Sequence, residues 1–323
     1  MNNKLYRLIC IILVSSLPIL YPCISHPLME IRSEDPESYC QIGAIYFDRG
    51  DDEQAILYFN KALQINPNYA NAYFSRGRVF CKKKEYDKAI SNYTRAIELN
   101  PNYVDAYNNR GFTYNQKGES GRALSDFNKA IEIDSRHIAA YMNRGITYSL
   151  RGQYDQGIEE YKKVIEINPR FAAAYYNRGA IFKKMGKLNH AISDYTKALE
   201  IDPKYFMAYN NRGVVYGIMG KYEEAISDFS KAIEINSKYI DAYSNRGTLY
   251  YENEEYGEAL SDFSRIIEIN PKDGFAYYCR GLTYYFKEEY DECLSDLHKA
   301  QELGYKVIPE FLEELLEALE RQR

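Results

Sequence analysis

The sequence has no tryptophan and only four histidines in 323 residues. His26, His137, His190 and His298 keep no metal-ligand spacing, and there is no CxxC, phosphate-binding glycine loop or nucleophile elbow. No catalytic residue, metal ligand or cofactor is therefore expected, and no small-molecule substrate. A basic excess is also lacking: the formal net charge is −5, which argues against nucleic acid as the main partner. Cysteine is sparse. Cys10 and Cys23 lie near the N-terminus, Cys40 and Cys81 fall too far apart along neighbouring helices to bridge, and Cys279 and Cys293 point in different directions. No disulfide is expected.

The long apolar run is N-terminal. Lys4 and Arg7 precede LICIILVSSLPIL at 8–20, and the small residues Cys23 and Ser25 frame a cleavage before His26, giving a signal peptide over 1–25. Alternatively residues 5–24 form an uncleaved membrane anchor. Both readings put the chain outside the cytoplasm or on a membrane, as a periplasmic, secreted or tethered protein. Unpaired cysteines stand in tension with an oxidising space. Residues 26–35 read as a linker.

What the chain has in excess is tyrosine, 34 of them, within a globular balance of 46 % hydrophobic and 27 % charged residues. It also repeats. Gly43, Gly77, Gly111, Gly145, Gly179, Gly213, Gly247 and Gly281 are each 34 residues apart. Four residues before each stands a tyrosine, Tyr39 to Tyr277, and three after each an aromatic, Tyr46 to Tyr284. Twelve after stands a small residue (Ala55, Ala89, Gly157), and sixteen after an aromatic (Phe59, Tyr93, Phe127) until Leu297 ends the series. Proline often closes the unit, as at Pro67, Pro101, Pro169, Pro203 and Pro271.

These motifs resemble the tetratricopeptide repeat family over residues 36–305, eight units without a gap. Tyrosine replaces the family's usual first tryptophan, arginine its leucine before the glycine, and Ser135 and Ser237 its closing proline. The helical wheel agrees: tyrosine, glycine and second aromatic fall within about 60° of arc on a first helix. One hairpin cannot bury its own apolar stripe, so neighbours must stack. The resemblance implies an all-α fold, a right-handed superhelical solenoid of helix-turn-helix hairpins with first helices on the concave side. Residues 306–323 are expected to cap it: Pro309 opens a helix with Phe311, Leu312, Leu315, Leu316 and Leu319 on one face.

Asn109, Asn143, Asn177, Asn211 and Asn245 each lie two residues before the glycine and point away from the core on the wheel. A carboxamide offers donor and acceptor together, so a row of them suits an extended peptide read through its backbone. The arrangement is similar to the asparagine ladder of the O-linked N-acetylglucosamine transferase repeat domain, with Gln41, Ser75 and Cys279 breaking it at the ends. The alternative is that duplicated units inherited solvated asparagines. Tyr176, Met207 and Tyr278 join the row as apolar peptide contacts, since groove positions turn from polar to apolar toward the C-terminus, as at Met142, Ile146, Ile218, Phe275 and Phe286; the alternative is that some of these pack against neighbouring units. No lysines stand in register there for a carboxylate clamp.

The arginines beside the glycines, Arg76 to Arg280, flank the core. Fifteen residues after the glycine stand Asp126, Glu160, Asp194, Asp228, Asp262 and Asp296. The first unit lacks both partners (Ile42, Tyr58) and the second has Arg76 with Asn92, so an Arg–carboxylate bridge inside each later hairpin is expected. On this reading Arg178→Leu is mild and isolated loss of the Asp194 charge costs more.

The functional expectation is a non-catalytic scaffold that binds an extended peptide or partner protein in its groove, exported or tethered through residues 5–24. A structural assembly subunit acting by self-association is the alternative, and the targeting arm of an enzyme complex a third.

Overall fold

A computed structural model describes residues 35–322. The expected signal peptide or anchor and nearly all of the linker lie outside the described residues. The described chain is helical: α1 (Pro36–Asp48), α2 (Asp52–Ile65), α3 (Ala70–Lys82), α4 (Tyr86–Leu99), α5 (Val104–Gln116), α6 (Ser120–Ile133), α7 (Ile138–Leu150) and α8 (Tyr154–Ile167) form a first compact unit ending at Ile167. The second begins at Asn168 and holds α9 (Ala172–Lys184), α10 (Leu188–Ile201), α11 (Phe206–Ile218), α12 (Tyr222–Ile235), α13 (Ile240–Glu252), α14 (Tyr256–Ile269), α15 (Gly274–Phe286), α16 (Tyr290–Glu302) and α17 (Pro309–Gln322).

Each odd helix from α1 to α15 pairs with the even helix after it, which gives the eight expected hairpins. Close approach at the repeat glycine sets the pairing. A Cβ on Gly111 would come 2.7 Å from Phe127 Cε1 and 3.1 Å from the Ala123 carbonyl. Glycine here admits the aromatic sixteen residues on, and burying such a ring is worth about 2–3 kcal/mol. Phe59, Tyr93, Phe127, Tyr161, Tyr195, Phe229 and Phe263 fill this place, and Leu297 fills it in the last hairpin.

The turn inside each hairpin needs one left-handed residue, seven after the repeat glycine. Gly118 takes it at φ 80°, but Lys84, Glu254 and Glu288 take it at 61–64° with side chains. The bend between hairpins is made by a side chain. Asn66, Asn100, Asp134, Asn168, Asp202, Asn236 and Asn270 each accept from the backbone N–H two residues on, at 2.9–3.3 Å. This Asx turn operates whether proline follows or not, which explains why Ser135 and Ser237 are tolerated.

Within each unit the first helices also touch one another, α1 to α3 to α5 to α7 and α9 to α11 to α13 to α15, whereas second helices make no comparable contact among themselves. The first helices are thus the crowded side, where the asparagines stand. Helix α17 packs on α16, burying Leu315 against Cys293, Leu297 and Ala300, and Leu319 is buried as well. Leu316, expected on that face, stays exposed.

Candidate functional site

Asn109, Asn143, Asn177, Asn211 and Asn245 are all half-buried. Their amides are engaged by the fold to a degree that the wheel alone does not reveal. Asn143 Nδ2 donates to Asn108 Oδ1 and Asn245 Nδ2 to Asn210 Oδ1, both at 2.9 Å, and Asn211 Nδ2 donates to the Tyr176 hydroxyl at 2.8 Å. Each bond joins one first helix to the next, from the residue two before a glycine to the residue three before the previous glycine. Where that acceptor is missing the amide goes elsewhere. Asn177 Nδ2 donates to the Ala173 carbonyl of its own helix at 2.8 Å. Asn109 stands one repeat beyond Phe74, which offers no acceptor, and takes only a long 3.4 Å contact from Asn108.

The donor half of the row is therefore largely structural, and the acceptor half differs. Asn211 Oδ1 accepts from Lys183 Nζ at 2.8 Å, an ammonium whose pKa burial lowers. The Oδ1 atoms of Asn143, Asn177 and Asn245 accept nothing from the described residues and are not sealed from solvent. A solvent-facing carbonyl can accept a peptide N–H but cannot also supply the paired donor.

Tyr176 and Tyr278 were expected as ligand contacts, and their rings are occupied within the fold. Tyr176 lies 4.9 Å from Tyr205 and Tyr278 4.8 Å from Tyr305, ring centre to ring centre; Phe74 meets Tyr103 in the same way at 4.9 Å. Tyr103 and Tyr205 end the connection to the following hairpin, and Tyr305 lies in the connection to α17. Burial pushes the Tyr176 phenol up to about 12, and the Asn211 amide partly offsets this. Met207 is half-buried, Met142 is buried, and Ile218, Phe275 and Phe286 are exposed.

The arginine bridges form as the co-occurrence implies. Arg110, Arg178, Arg212, Arg246 and Arg280 each give Nε and Nη2 to both oxygens of Asp126, Asp194, Asp228, Asp262 and Asp296 at 2.7–2.9 Å. Arg144 makes one such bond to Glu160, 2.7 Å, and its Nε stays unpartnered. Each of these guanidiniums, and that of Arg76, lies over the tyrosine three residues back, at 5.4–5.9 Å from the ring centre.

A further partner escaped the sequence reading. Nη1 of Arg76, Arg110, Arg144, Arg212, Arg246 and Arg280 reaches back to Asn60, Thr94, Asn128, Thr196, Ser230 and Ser264 on the preceding second helix. The signal was a short polar residue seventeen after the glycine. The arginine thus ties three helices. Arg178 lacks this third bond, and within its pair the Asp194 side chain is 7 % exposed against 18 % for Arg178, so removal of the arginine would strand the more deeply buried charge.

The described cysteines, Cys40, Cys81, Cys279 and Cys293, are free thiols. Among the described residues no helix is long and apolar enough to cross a membrane, and no His, Cys, Asp and Glu cluster could hold a metal.

The family model described as TPR repeat matches residues 43–83, 77–118 and 147–186, and the one described as tetratricopeptide repeat matches 104–137, 172–205, 206–239 and 240–273. No curated protein matches the chain. Among solved structures it is similar to a tetratricopeptide repeat protein from Parabacteroides merdae, at 21 % identity and TM-score 0.60 over 77 % of this chain and 98 % of that one. It is also similar to PilW, a type IV pilus biogenesis factor, at 20 % identity and TM-score 0.58 over 63 % and 94 %. A third is pilF of Pseudomonas aeruginosa, at 18 % and 0.57 over 65 % and 95 %. Identities at this level speak to the fold.

Proposed function

The chain belongs to the tetratricopeptide repeat family, and from that premise we propose that it is a non-catalytic scaffold holding an extended peptide, or an extended segment of a partner protein, by its main chain. The observation that carries this is the pair of open carbonyls in the second unit: Asn177 and Asn245 present Oδ1 without a partner while their amide nitrogens are held by the fold, and Asn143 does the same within the first unit. Held in this way, each acceptor is oriented before a ligand arrives, which lowers the entropy cost of binding. In the second unit the half-buried Met207 is taken as an apolar contact for the same peptide, while Tyr176 and Tyr278 act by shaping the wall through their packing on Tyr205 and Tyr305. The N-terminal run at 8–20 supports an exported or membrane-tethered location, which fractionation of the native cell tests.

The test is selection of unstructured peptides from a displayed random library on the full chain, followed by titration against Asn177→Ala. Losing one neutral hydrogen bond lowers affinity about threefold to tenfold. Failure to select any peptide, with size-exclusion light scattering showing concentration-dependent oligomers, favours the assembly reading instead. That second reading has an observation of its own, the exposed Phe275, Phe286, Ile308 and Leu316 near the C-terminus.

A further inference from the structure

In the hairpins from α5 to α16 the arginine before the repeat glycine meets a carboxylate. In the α3–α4 hairpin it meets Asn92. A carboxylate offers two acceptor oxygens to the Nε–Nη2 edge of a guanidinium, and an amide offers one. Arg76 Nε donates to Asn92 Oδ1 at 2.8 Å, and Asn92 Nδ2 donates to the Lys88 carbonyl at 2.8 Å. Arg76 Nη1 donates to Asn60 Oδ1 at 2.5 Å. Nη2, which holds an aspartate oxygen in the five bidentate hairpins, has no acceptor among the described residues, and no carboxylate pairs with Arg76. Burial pulls this guanidinium below its ordinary pKa, whereas hydrogen bonds to their carboxylates push Arg178, Arg212, Arg246 and Arg280 up.

Arg76 lines a pocket of about 340 Å³ together with Tyr73, Ser91, Asn92, Thr94 and Arg95, with Glu98 beside Arg95. Its charges are two arginines against one glutamate, and that glutamate is already paired with Arg95 at 3.0 Å. Asn92 is 7 % exposed, so the amide standing where a carboxylate stands elsewhere is buried. Thr94 Oγ1 accepts from Arg110 Nη1 at 3.0 Å, which leaves its own proton free to turn into the pocket.

We propose that this pocket is an anion site. It takes a small oxyanion, a phosphate or carboxylate group, whose oxygens accept from Arg76 Nη2 and from the Thr94 and Ser91 hydroxyls. The guest supplies the negative charge that aspartate or glutamate supplies in the later hairpins.

The test is thermal melting of the full chain in sodium phosphate and in sodium acetate, each against chloride at equal ionic strength. Wild type is compared with Asn92→Asp. The variant is expected to fold, since aspartate stands at the equivalent place in five other hairpins, and to melt higher than wild type in chloride. Wild type is expected to gain about 3 °C at ten times the dissociation constant, a gain the variant lacks. A shift with phosphate alone assigns a tetrahedral guest and one with acetate alone a carboxylate, and either supports the site. Phosphate also stabilises proteins by exclusion from their surface. Equal shifts in wild type and Asn92→Asp, or none in either, overturn the proposal.

Discussion

Asn143 donates its side-chain amide to Asn108 Oδ1, 35 residues earlier, at 2.9 Å, and Asn245 does the same to Asn210. Asn108 and Asn210 are buried, so their carbonyls lose a partner when the donor goes. Asn143→Ala should therefore lower stability by about 1–2 kcal/mol. Asn177→Ala, whose amide bonds only its own helix, should be neutral or slightly stabilising, because alanine is the better helix former by about 0.5 kcal/mol. Urea denaturation of both variants checks this; equal losses would count against the distinction between them.

Arg178 and Asp194 share a bidentate contact at 2.7–2.8 Å. Arg178→Leu should cost about 3 kcal/mol, since it leaves a buried carboxylate unpaired. Asp194→Asn should cost roughly half of that, because the α3–α4 hairpin already works with an asparagine facing its arginine. Melting of both variants decides, and a larger loss in Asp194→Asn would contradict the reading.

Gly111→Ala should destabilise by about 1–3 kcal/mol through overpacking, as its Cβ meets Phe127 at 2.7 Å. Gly281→Ala should cost clearly less, because the nearest atoms, on Asp296 and Leu297, stand at 3.3 Å. The comparison is made by chemical denaturation.

Glu254 holds φ 64° where Gly118, Gly152, Gly186 and Gly220 serve the equivalent turns. Glu254→Gly should raise stability by about 1 kcal/mol by relieving a left-handed side-chain residue. A lower melting temperature would show that Glu254 makes a compensating contact.

Burial pushes the phenols of Tyr161, Tyr195, Tyr205 and Tyr239 above their ordinary range and holds Cys279 and Cys293 up to about 12. A group whose folded pKa is raised stays protonated in the fold. The stability it contributes is complete below the unfolded value and is lost as pH climbs through the folded one. Melting temperature should therefore begin to fall above about pH 8.5, where unfolded thiols ionise, and fall more steeply above about 10, where unfolded phenols do, with phenolate absorbance appearing in two stages, the second coincident with unfolding. Complete ionisation near pH 10 with the helices intact would contradict this.

The hairpins and their bridges were legible because the chain repeats. A 34-residue step turns one sequence into its own comparison set, and the joint loss of partners at Ile42 and Tyr58 ties Arg to Asp by sequence alone. The candidate site was only partly legible. A helical wheel gives the direction of Tyr176 relative to its own helix, but not that Tyr205 arrives over its ring and Asn211 at its hydroxyl. Whether an asparagine is open or engaged depends on the residue that the preceding hairpin brings to it, polar at Asn108 and apolar at Phe74. The Asx turns and the polar partners of the arginine Nη1 atoms were visible as periodic residues, at Asn66 and Thr94 for instance. Their roles became clear only once the neighbouring backbone N–H or guanidinium was in place.

The most direct measurement is a double-mutant cycle on the full chain. It uses calorimetric titration with a selected peptide, and with that peptide N-methylated at each backbone position in turn, against wild type and Asn177→Ala. If Asn177 Oδ1 accepts a main-chain N–H, one methylation and the alanine substitution each weaken binding about threefold to tenfold, and combining them costs little more than either alone. Fully additive losses at every position, or affinity indifferent to the asparagine, would contradict main-chain recognition by the row.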